Sequence, residues 1–440
     1  MKRLYNIILA VLPLLGPTLH CSIPVRELSI SKEEHFSDSL HKSGLTGPSS
    51  YNQIQVLTRG NETFQSLHYR ISQASSSVFF SAYIFQTDST GKRLMDLLKR
   101  KASEGLDVRL MLDAWGSIYF EKEMEEDLRQ SGVRIQYFRP FEILRPYRHL
   151  LRNHRRLIVI DGQYALTGGF AIQDVWADLY DFQVQDLQVW IQGPLVQEME
   201  SLFIRDWCLA AENEDSLCDL DSSSLAMETI PSPDSRRPRN SLPDPNSPCN
   251  SFRQGCTGLS SILPTSEFDN PSANYNFYLG AISRSKHRIW MVTPYFIPDA
   301  RFLAELNQAC ERGVDVRLVM ASSESIQEFP VNYVRNPYVE ALLRMGARVY
   351  VYESGFLHSK ASLFDENLSL IGTSNLDRRS FNYNHELDIV SYDIRTNDAL
   401  ATVFLRYMDS SRELTREELE SRSLAVRLLE LFWWPLIPQL

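Results

Sequence analysis

Leu357-His358-Ser359-Lys360-Ala361-Ser362-Leu363-Phe364-Asp365, with Gly372-Thr373-Ser374-Asn375 and Asn384-His385-Glu386 close behind it, is the stretch from which the rest of the chain can be read. His358 and Lys360 are two residues apart, so on an extended strand they project from the same face. Ala361 to Phe364 continue that strand as an apolar run, and Asp365-Glu366-Asn367 reads as a turn. Leu368 to Ile371 then return as the hairpin partner. Gly372-Thr373-Ser374-Asn375 adds a position free of side chain beside small hydrogen-bonding groups. An imidazole, an ammonium and an amide converging at one mouth suit an anionic group, most simply a phosphate.

A second copy turns this cluster into an architecture. Residues 154 to 171 carry His154-Arg155-Arg156, the apolar run Leu157 to Ile160, the hairpin signal Asp161-Gly162, and Gly168-Gly169 where the first-quoted copy has Gly372-Thr373. His154 and His358 lie 204 residues apart. Upstream, Gly105-Leu106-Asp107-Val108-Arg109 recurs as Gly313-Val314-Asp315-Val316-Arg317, at an offset of 208. Two markers at nearly one offset indicate internal duplication. Two halves that pair would bring their histidines together across one cleft.

The pattern H-x-K-x4-D followed by Gly-Ser/Thr-x-Asn resembles the signature of the phospholipase D superfamily. The flanking text is similar to its bacterial cardiolipin synthase branch: Arg152 to Gly162, Thr293-Pro294-Tyr295-Phe296-Ile297-Pro298-Asp299, and Leu357 to Lys360. The resemblance covers roughly residues 50 to 435. It implies an α/β fold of two pseudo-symmetric phospholipase D-like domains, each a mixed β-sheet flanked by helices, with the active site at their interface. It implies a phosphohistidine intermediate; either histidine could serve in either role, and the resemblance favours His154 as nucleophile with His358 as proton carrier. Glu386 is expected to orient the His358 ring and Asp186 the His154 ring. Arg156, Lys360, Asn375, Gly168 and Ser374 are expected at the substrate phosphate. Asp365 falls on the opposite strand parity from His358 and Lys360, so it and Asp161 are expected to brace their hairpins. No metal and no other cofactor are expected. The first motif departs from the pattern twice: its lysine is Arg156, and its downstream Asn position is Ala171.

The chain of 440 residues is long for one core, so two domains are expected. Its 43% hydrophobic and 23% charged content are ordinary for a globular protein, and its net charge of −10 argues against a nucleic-acid binder. Arg145, Arg148, His149, Arg152, Arg155 and Arg156 nevertheless form a basic segment leading into the first motif, expected to serve the phosphate site. Six cysteines show no Cys-x2-Cys zinc spacing. Cys208 and Cys310 fall in apolar helical patterns and read as core thiols. Cys249 and Cys256 are candidates for a bridge in an oxidising compartment. His68 and His287 are isolated, and His385 reads as packing.

Residues 1–22, a basic start and an apolar run broken by prolines, read as a signal peptide or N-terminal anchor. The first phospholipase D-like domain is expected over 51–211. Residues 212–257, rich in proline and serine, read as a flexible linker. The second domain is expected over 258–412, and an amphipathic C-terminal helix over 413–440. That helix opens with the capping-box pattern Thr415 to Glu418 and carries Leu424, Leu428, Leu431 and Phe432 on one stripe, ahead of Trp433 and Trp434.

These features point to a membrane-associated phosphatidyltransferase or phospholipase D acting on an anionic glycerophospholipid at a membrane surface. By the resemblance, it joins two phosphatidylglycerols into cardiolipin. Nucleic acid is not expected as a partner, and the expected location is exported or membrane-associated, in a bacterial cell envelope. Two alternatives remain: a catalytically weakened lipid-binding homologue, suggested by Arg156 and Ala171, and a phosphodiesterase or nuclease of the same superfamily.

Overall fold

The computed structural model describes residues 45–142, 150–180, 183–211, 215–219, 258–267, 271–323, 325 and 329–433. Both repeats fall within one compact unit. The first carries strands β1 (Gln53–Leu57), β2 (Ser77–Ala82), β3 (Asp107–Asp113), β4 (Arg134–Phe138), β5 (Leu157–Ile160), β6 (Tyr164–Gly168), β7 (Val184–Gln185) and β8 (Gln188–Gln192). Seven of these form a sheet in the order β1-β8-β6-β5-β2-β3-β4. Strands β2, β3 and β4 run parallel, and the remaining pairs are antiparallel.

The second repeat rebuilds the same plan. Its strands are β9 (Ser260–Thr265), β10 (Arg288–Thr293), β11 (Phe296–Ile297), β12 (Asp315–Ala321), β13 (Arg348–Tyr352), β14 (Phe356–Leu357), β15 (Ala361–Phe364), β16 (Leu368–Gly372), β17 (Leu376–Asp377), β18 (Glu386–Ser391) and β19 (Ser411–Leu414). The large sheet reads β9-β18-β16-β15-β10-β12-β13-β19, the order of the first sheet with one edge strand added. The central strands are buried nearly throughout. Helices cover these sheets, which is why the strands read as apolar runs rather than as alternations.

The duplicated Gly-x-Asp-Val-Arg marker has a local cause. Gly105 and Gly313 close the helices Ser89–Ser103 and Ala300–Glu311 at φ of +93° and +82°, a conformation that costs glycine little. The Arg two positions after each Asp then bonds back to it on the emerging strand, Arg109 to Asp107 and Arg317 to Asp315. Asp88 and Asp299 cap the N-termini of the same two helices.

The hairpin carboxylates do parallel work. Asp161, at φ +55°, accepts from the backbone N–H groups of Ser75, Ser76 and Ser77. Asp365, at φ +51°, accepts from those of Lys286, His287 and Arg288. Each ties the tip of its hairpin to the strand beside it, away from the histidines.

Several expectations are corrected. Cys208, expected as a core thiol, is bonded to Cys218, which fastens the segment after the first domain to the helix Leu195–Ala210. Strand β19 runs to Leu414, across the boundary expected at 412, because its backbone completes the edge beside β13. The single C-terminal helix is two. The capping box at Thr415 and Glu418 is formed, but its helix ends at Glu420 and a second spans Leu424–Trp433. The second helix buries Glu430, which bonds Asn336 and Arg422, and leaves Leu424, Leu431 and Phe432 exposed. The leader, Cys249, Cys256, most of the linker, and Trp434 lie outside the described residues.

Candidate active site

The two repeats are stitched together at their histidines. Short strand β14, which leads into His358, pairs in parallel with β7, which leads into Asp186. The His358 N–H donates to the Gln185 carbonyl. The same relation holds with the halves exchanged: Asn153 bridges to His385, and the His154 N–H donates to the His385 carbonyl. Each histidine is thereby set one position from the carboxylate of the other repeat.

The side chains follow. His154 Nδ1 lies 2.9 Å from Glu386 Oε2, and His358 Nδ1 lies 2.8 Å from Asp186 Oδ2. The expected pairing, Glu386 with His358 and Asp186 with His154, is therefore exchanged. The physical reason is the strand pairing across the interface. Within one sheet β16 separates β15 from β18, whereas the carboxylate strand of the partner repeat lies directly beside the histidine.

All four groups are buried, and the charges answer to that. Burial pushes the Glu386 carboxyl up to about 7, although Thr373, Ser380 and Asn384 all donate to it. Burial also pushes the Asp186 carboxyl up, but His358, Lys360 and the Leu187 N–H together outweigh it, and Asp186 sits below its ordinary value. His154 lies well below its ordinary value through burial and the charges of Arg156, Lys360 and Arg379. His358 is pushed down to about 3 by burial and Lys360, against the pull of Asp186. Lys360 falls to about 7, through burial and the neighbouring Arg156 charge. Arg156 acts on His358 and Lys360 acts on His154, so the cation of each half reaches the imidazole of the other.

Arg156 Nη2 donates to His154 Nε2 at 2.8 Å, and its Nη1 to the His154 carbonyl. A nitrogen that accepts from a guanidinium carries no proton, so the His154 proton sits on Nδ1, facing Glu386. Lys360 instead folds back on the His358 carbonyl. The Asn375 side chain has its Oδ1 buried without a hydrogen-bond partner, so this amide is uncommitted.

Two expected phosphate contacts are spoken for. The Ser374 hydroxyl donates to Asp388 and accepts from Asn274. Gly168 makes room for β8, since a Cβ there would meet the Leu187 carbonyl oxygen at 2.3 Å. Of the described residues of the basic segment, only Arg156 bonds a catalytic histidine. Arg152 turns to the Arg139 carbonyl and Asp113, and Arg155 turns to Asp206, the Thr265 carbonyl and the Glu386 carbonyl. Arg145, Arg148 and His149 lie outside the described residues. His385 is more than packing: its ring faces Glu267 at 2.6 Å and Asp206 at 3.4 Å.

Residues missed in the sequence complete the walls. The Tyr83 ring meets His154 edge-on at 4.8 Å and lies under Arg156. Trp176 stands edge-on to His358 at 5.5 Å and donates to Asp186. Thr373 and Asn384 stood in the motifs already singled out, but nothing in their spacing told that both would aim at Glu386.

Comparison with known proteins agrees with this geometry. The family model described as "Cardiolipin synthase, PLD-like domain" matches residues 67–207 and 278–408, one match per repeat. The major cardiolipin synthase ClsA of Bacillus subtilis (strain 168) is 34% identical over 386 residues, 86% of this chain and 73% of that protein. A cardiolipin synthase of Geobacillus sp. (strain WCH70) is 30% identical over 395 residues, 89% of this chain and 73% of that protein. The crystal structure of phosphatidylserine synthase from Haemophilus influenzae Rd KW20 matches at a TM-score of 0.68 over 93% of this chain and 100% of that one; at 15% identity the likeness concerns the fold. With a duplicated family match and relatives aligned across most of its length, this chain belongs to the cardiolipin synthase branch of the phospholipase D superfamily and is an enzyme of that type, a phosphatidyltransferase or phosphodiesterase.

Proposed function

We propose that the protein transfers a phosphatidyl group between two phosphatidylglycerols, forming cardiolipin and releasing glycerol, by way of a phosphohistidine on His154. The observation that carries this reading is the exchanged pairing, in which each imidazole is anchored at Nδ1 by a carboxylate of the opposite repeat. That anchoring fixes both tautomers and turns both Nε2 atoms toward the common interface.

His154 Nε2 attacks phosphorus as the bond to the glycerol oxygen breaks, and His358 gives that oxygen its proton. The hydroxyl of a second phosphatidylglycerol then forms the new P–O bond. The P–N bond breaks, and the hydroxyl proton passes to His358. Arg156, Lys360 and the Asn375 amide face the phosphoryl oxygens, where charge develops. The split of roles follows from the carboxylates. Burial, Arg156 and Lys360 keep both imidazoles neutral by themselves. The substrate phosphate offsets those cations, and the ionised Asp186 then favours an imidazolium on His358, whereas Glu386, raised to about 7, favours a neutral His154.

The substrate surface is a membrane. Trp115, Ile118 and Tyr119 are exposed on the loop after β3, which packs on Tyr83 beside His154. Phe141 and Leu150 are exposed on the approach to His154, and Tyr180 on the approach to Asp186. Large exposed apolar side chains on segments that lead to both histidine–carboxylate pairs suit a lipid interface. No helix among the described residues is long and apolar enough to cross a membrane. The Cys208–Cys218 bond favours an oxidising compartment, in keeping with export and with a leader over 1–22. We assign the domains as 51–211 and 258–412, with β19 carrying the second to Leu414.

A second reading, a weakened lipid-binding homologue, draws on Arg156 covering His154 Nε2 and on Ala171 in place of an amide. One experiment separates the readings. Purified protein is incubated with labelled phosphatidylglycerol vesicles, and part of the reaction is quenched in alkali. The expected result is cardiolipin and glycerol in equal amounts, with an adduct whose P–N bond survives alkali and is read from a label in the phosphate. Lipid binding without turnover or adduct establishes the second reading, and cleavage of DNA in place of lipid removes both.

A further inference from the structure

The buried lysines and arginines of the described residues sort into two groups. Lys101 pairs with Glu104, Arg109 with Asp107 and Asp215, Arg139 with Glu267, Arg152 with Asp113, and Arg155 with Asp206. Arg156, Lys360 and Arg335 have no carboxylate partner among the described residues. An unpaired charge out of water is costly unless a ligand supplies the counter-charge. The first two are the cations assigned to the reacting phosphate. The third has no assignment.

Arg335 is 2% exposed and lies between the helices Phe329–Val334 and Asn336–Arg344. Its Nη1 donates to the Ala321 carbonyl and its Nη2 to Ser323 Oγ, both at 2.7 Å, and its buried Nε has no partner. Two neutral oxygens hold the guanidinium in place and leave its charge unmatched among the described residues.

Its place in the fold is the catalytic edge. Ala361 pairs with Val292, and Thr293 with Met320, so Lys360, Thr293 and Ala321 lie at the same end of three adjacent strands, β15, β10 and β12. At about 5 Å per strand, the Ala321 carbonyl that holds Arg335 is about 10 Å across the sheet from the backbone of Lys360. Tyr295, on the turn between β10 and β11, is close enough to act electrostatically on both Arg156 and Arg335. Leu376, next to Asn375, bonds Thr293 on the same turn.

We propose that Arg335 binds the phosphate of the acceptor, so that the second substrate is recognised as a phosphate-bearing alcohol rather than as any alcohol. This rests on the phosphatidyl-transfer reading above. In that reaction the product holds two phosphates joined through a glycerol bridge. One stays between Arg156 and Lys360 while its P–N bond to His154 breaks, and the other needs its own cation a bridge away. Water and glycerol carry no such group, so Arg335 biases the phosphohistidine toward transfer.

The test uses the full chain with labelled phosphatidylglycerol as donor in phosphatidylcholine vesicles. Glycerol or sn-glycerol 3-phosphate carrying a second label is added as acceptor, so that exchange with glycerol, which regenerates phosphatidylglycerol, is read from the acceptor's label entering lipid. The wild type is expected to use glycerol 3-phosphate at least tenfold better than glycerol by kcat/KM. Arg335→Gln is expected to bring that ratio close to one, and Arg335→Lys to keep part of it. Equal activity of the wild type on the two acceptors overturns the proposal without any variant, so it stands open to refutation even if Arg335→Gln fails to fold. A fall by the same factor for both acceptors in Arg335→Gln also overturns it and makes the residue a structural prop. Absence of transfer to either acceptor by the wild type is a different failure, which removes the transfer reading and this proposal with it.

Discussion

His154 and His358 occupy equivalent positions in two sheets of the same strand order, yet their surroundings differ at each neighbouring residue. His154 leans on a carboxylate pushed up to about 7, and its Nε2 is covered by Arg156. His358 leans on a carboxylate held below its ordinary value, and its lysine folds back on the main chain. The residue between imidazole and cation is Arg155 in one half and Ser359 in the other. Arg155 pairs with Asp206 of its own repeat and reaches across the interface to two carbonyls of the second repeat's strands, while Ser359 crosses it with one hydroxyl contact, to the Gln185 carbonyl, and bonds the Tyr407 hydroxyl on its own side. Duplication supplied the symmetry, and the differences divide the labour: one half forms the covalent bond and clamps the interface, and the other moves protons.

The largest effect expected from that division lies at the histidines. His154→Ala should abolish the phosphatidyl adduct and lower transfer by at least about 10⁴-fold. His358→Ala should still form adduct from a substrate whose leaving group needs no proton, such as a nitrophenyl phosphodiester. An adduct in His154→Ala but not in His358→Ala reverses the roles.

The interface clamp comes next. Arg155→Met leaves Asp206 buried without its cation, and removing one member of such a pair costs about 3–5 kcal/mol. Ser359→Ala, at the matching position, removes a neutral hydroxyl and should cost about 1 kcal/mol. Denaturant unfolding of the two variants checks the contrast. Asp206 itself is held below the ordinary carboxylate range despite its burial, by Arg155 and His385. A depressed carboxylate contributes its stability above its unfolded value near 4 and loses it as the pH falls further, so the difference between wild type and Arg155→Met should shrink only in strong acid.

Much of this was legible in the chain. Spacing alone gave the two hairpins, because a His two positions before a cation, an apolar run and an Asp turn can be laid out strand by strand. The left-handed glycines after each helix repeated at the same offset for the same reason. The exchange of Glu386 and Asp186 was not legible. It depends on β7 pairing with β14 and Asn153 with His385, contacts between segments far apart in sequence that carry no periodic signal. Nor did the basic run from Arg152 to Arg156 announce that two of its three arginines face a buried interface. Net charge and clustering describe a segment, while each guanidinium takes whichever oxygen lies within reach. Arg335 was silent for the opposite reason: no other charged residue stands within four positions of it, and its lack of a carboxylate among the described residues is what marks it.

The carboxylates should separate by about 10²-fold. Asp186→Asn removes the charge that stabilises the His358 imidazolium and should lower kcat by that order, within the range of acid–base catalysis. Glu386→Gln keeps a hydrogen-bonding group beside His154 Nδ1 and should cost less. Equal losses in the two would mean that neither histidine is specialised. A smaller effect, on the order of tenfold, is expected from pH. Lys360 lies at about 7, so raising the pH through that value removes a cation from the phosphate and kcat/KM should fall. Lys360→Arg, whose charge does not titrate in this range, should flatten that limb.

The smallest effect tests the half-site in the opposite sense. Arg156 has to release His154 Nε2 before that nitrogen can attack, and the hydrogen bond it gives up belongs to a charged donor. Lysine at this position, placed as Lys360 is, would rest on the His154 carbonyl and leave Nε2 open. It would also lose the planar fork that holds two phosphoryl oxygens at once. The two consequences oppose each other, so Arg156→Lys should speed adduct formation by only several-fold while raising KM for lipid. Pre-steady-state adduct bursts set against steady-state KM read the two separately. A slower burst would show that the guanidinium does more for the transition state than its cover of Nε2 costs, and that the departure from lysine in this half is an adaptation rather than a loss.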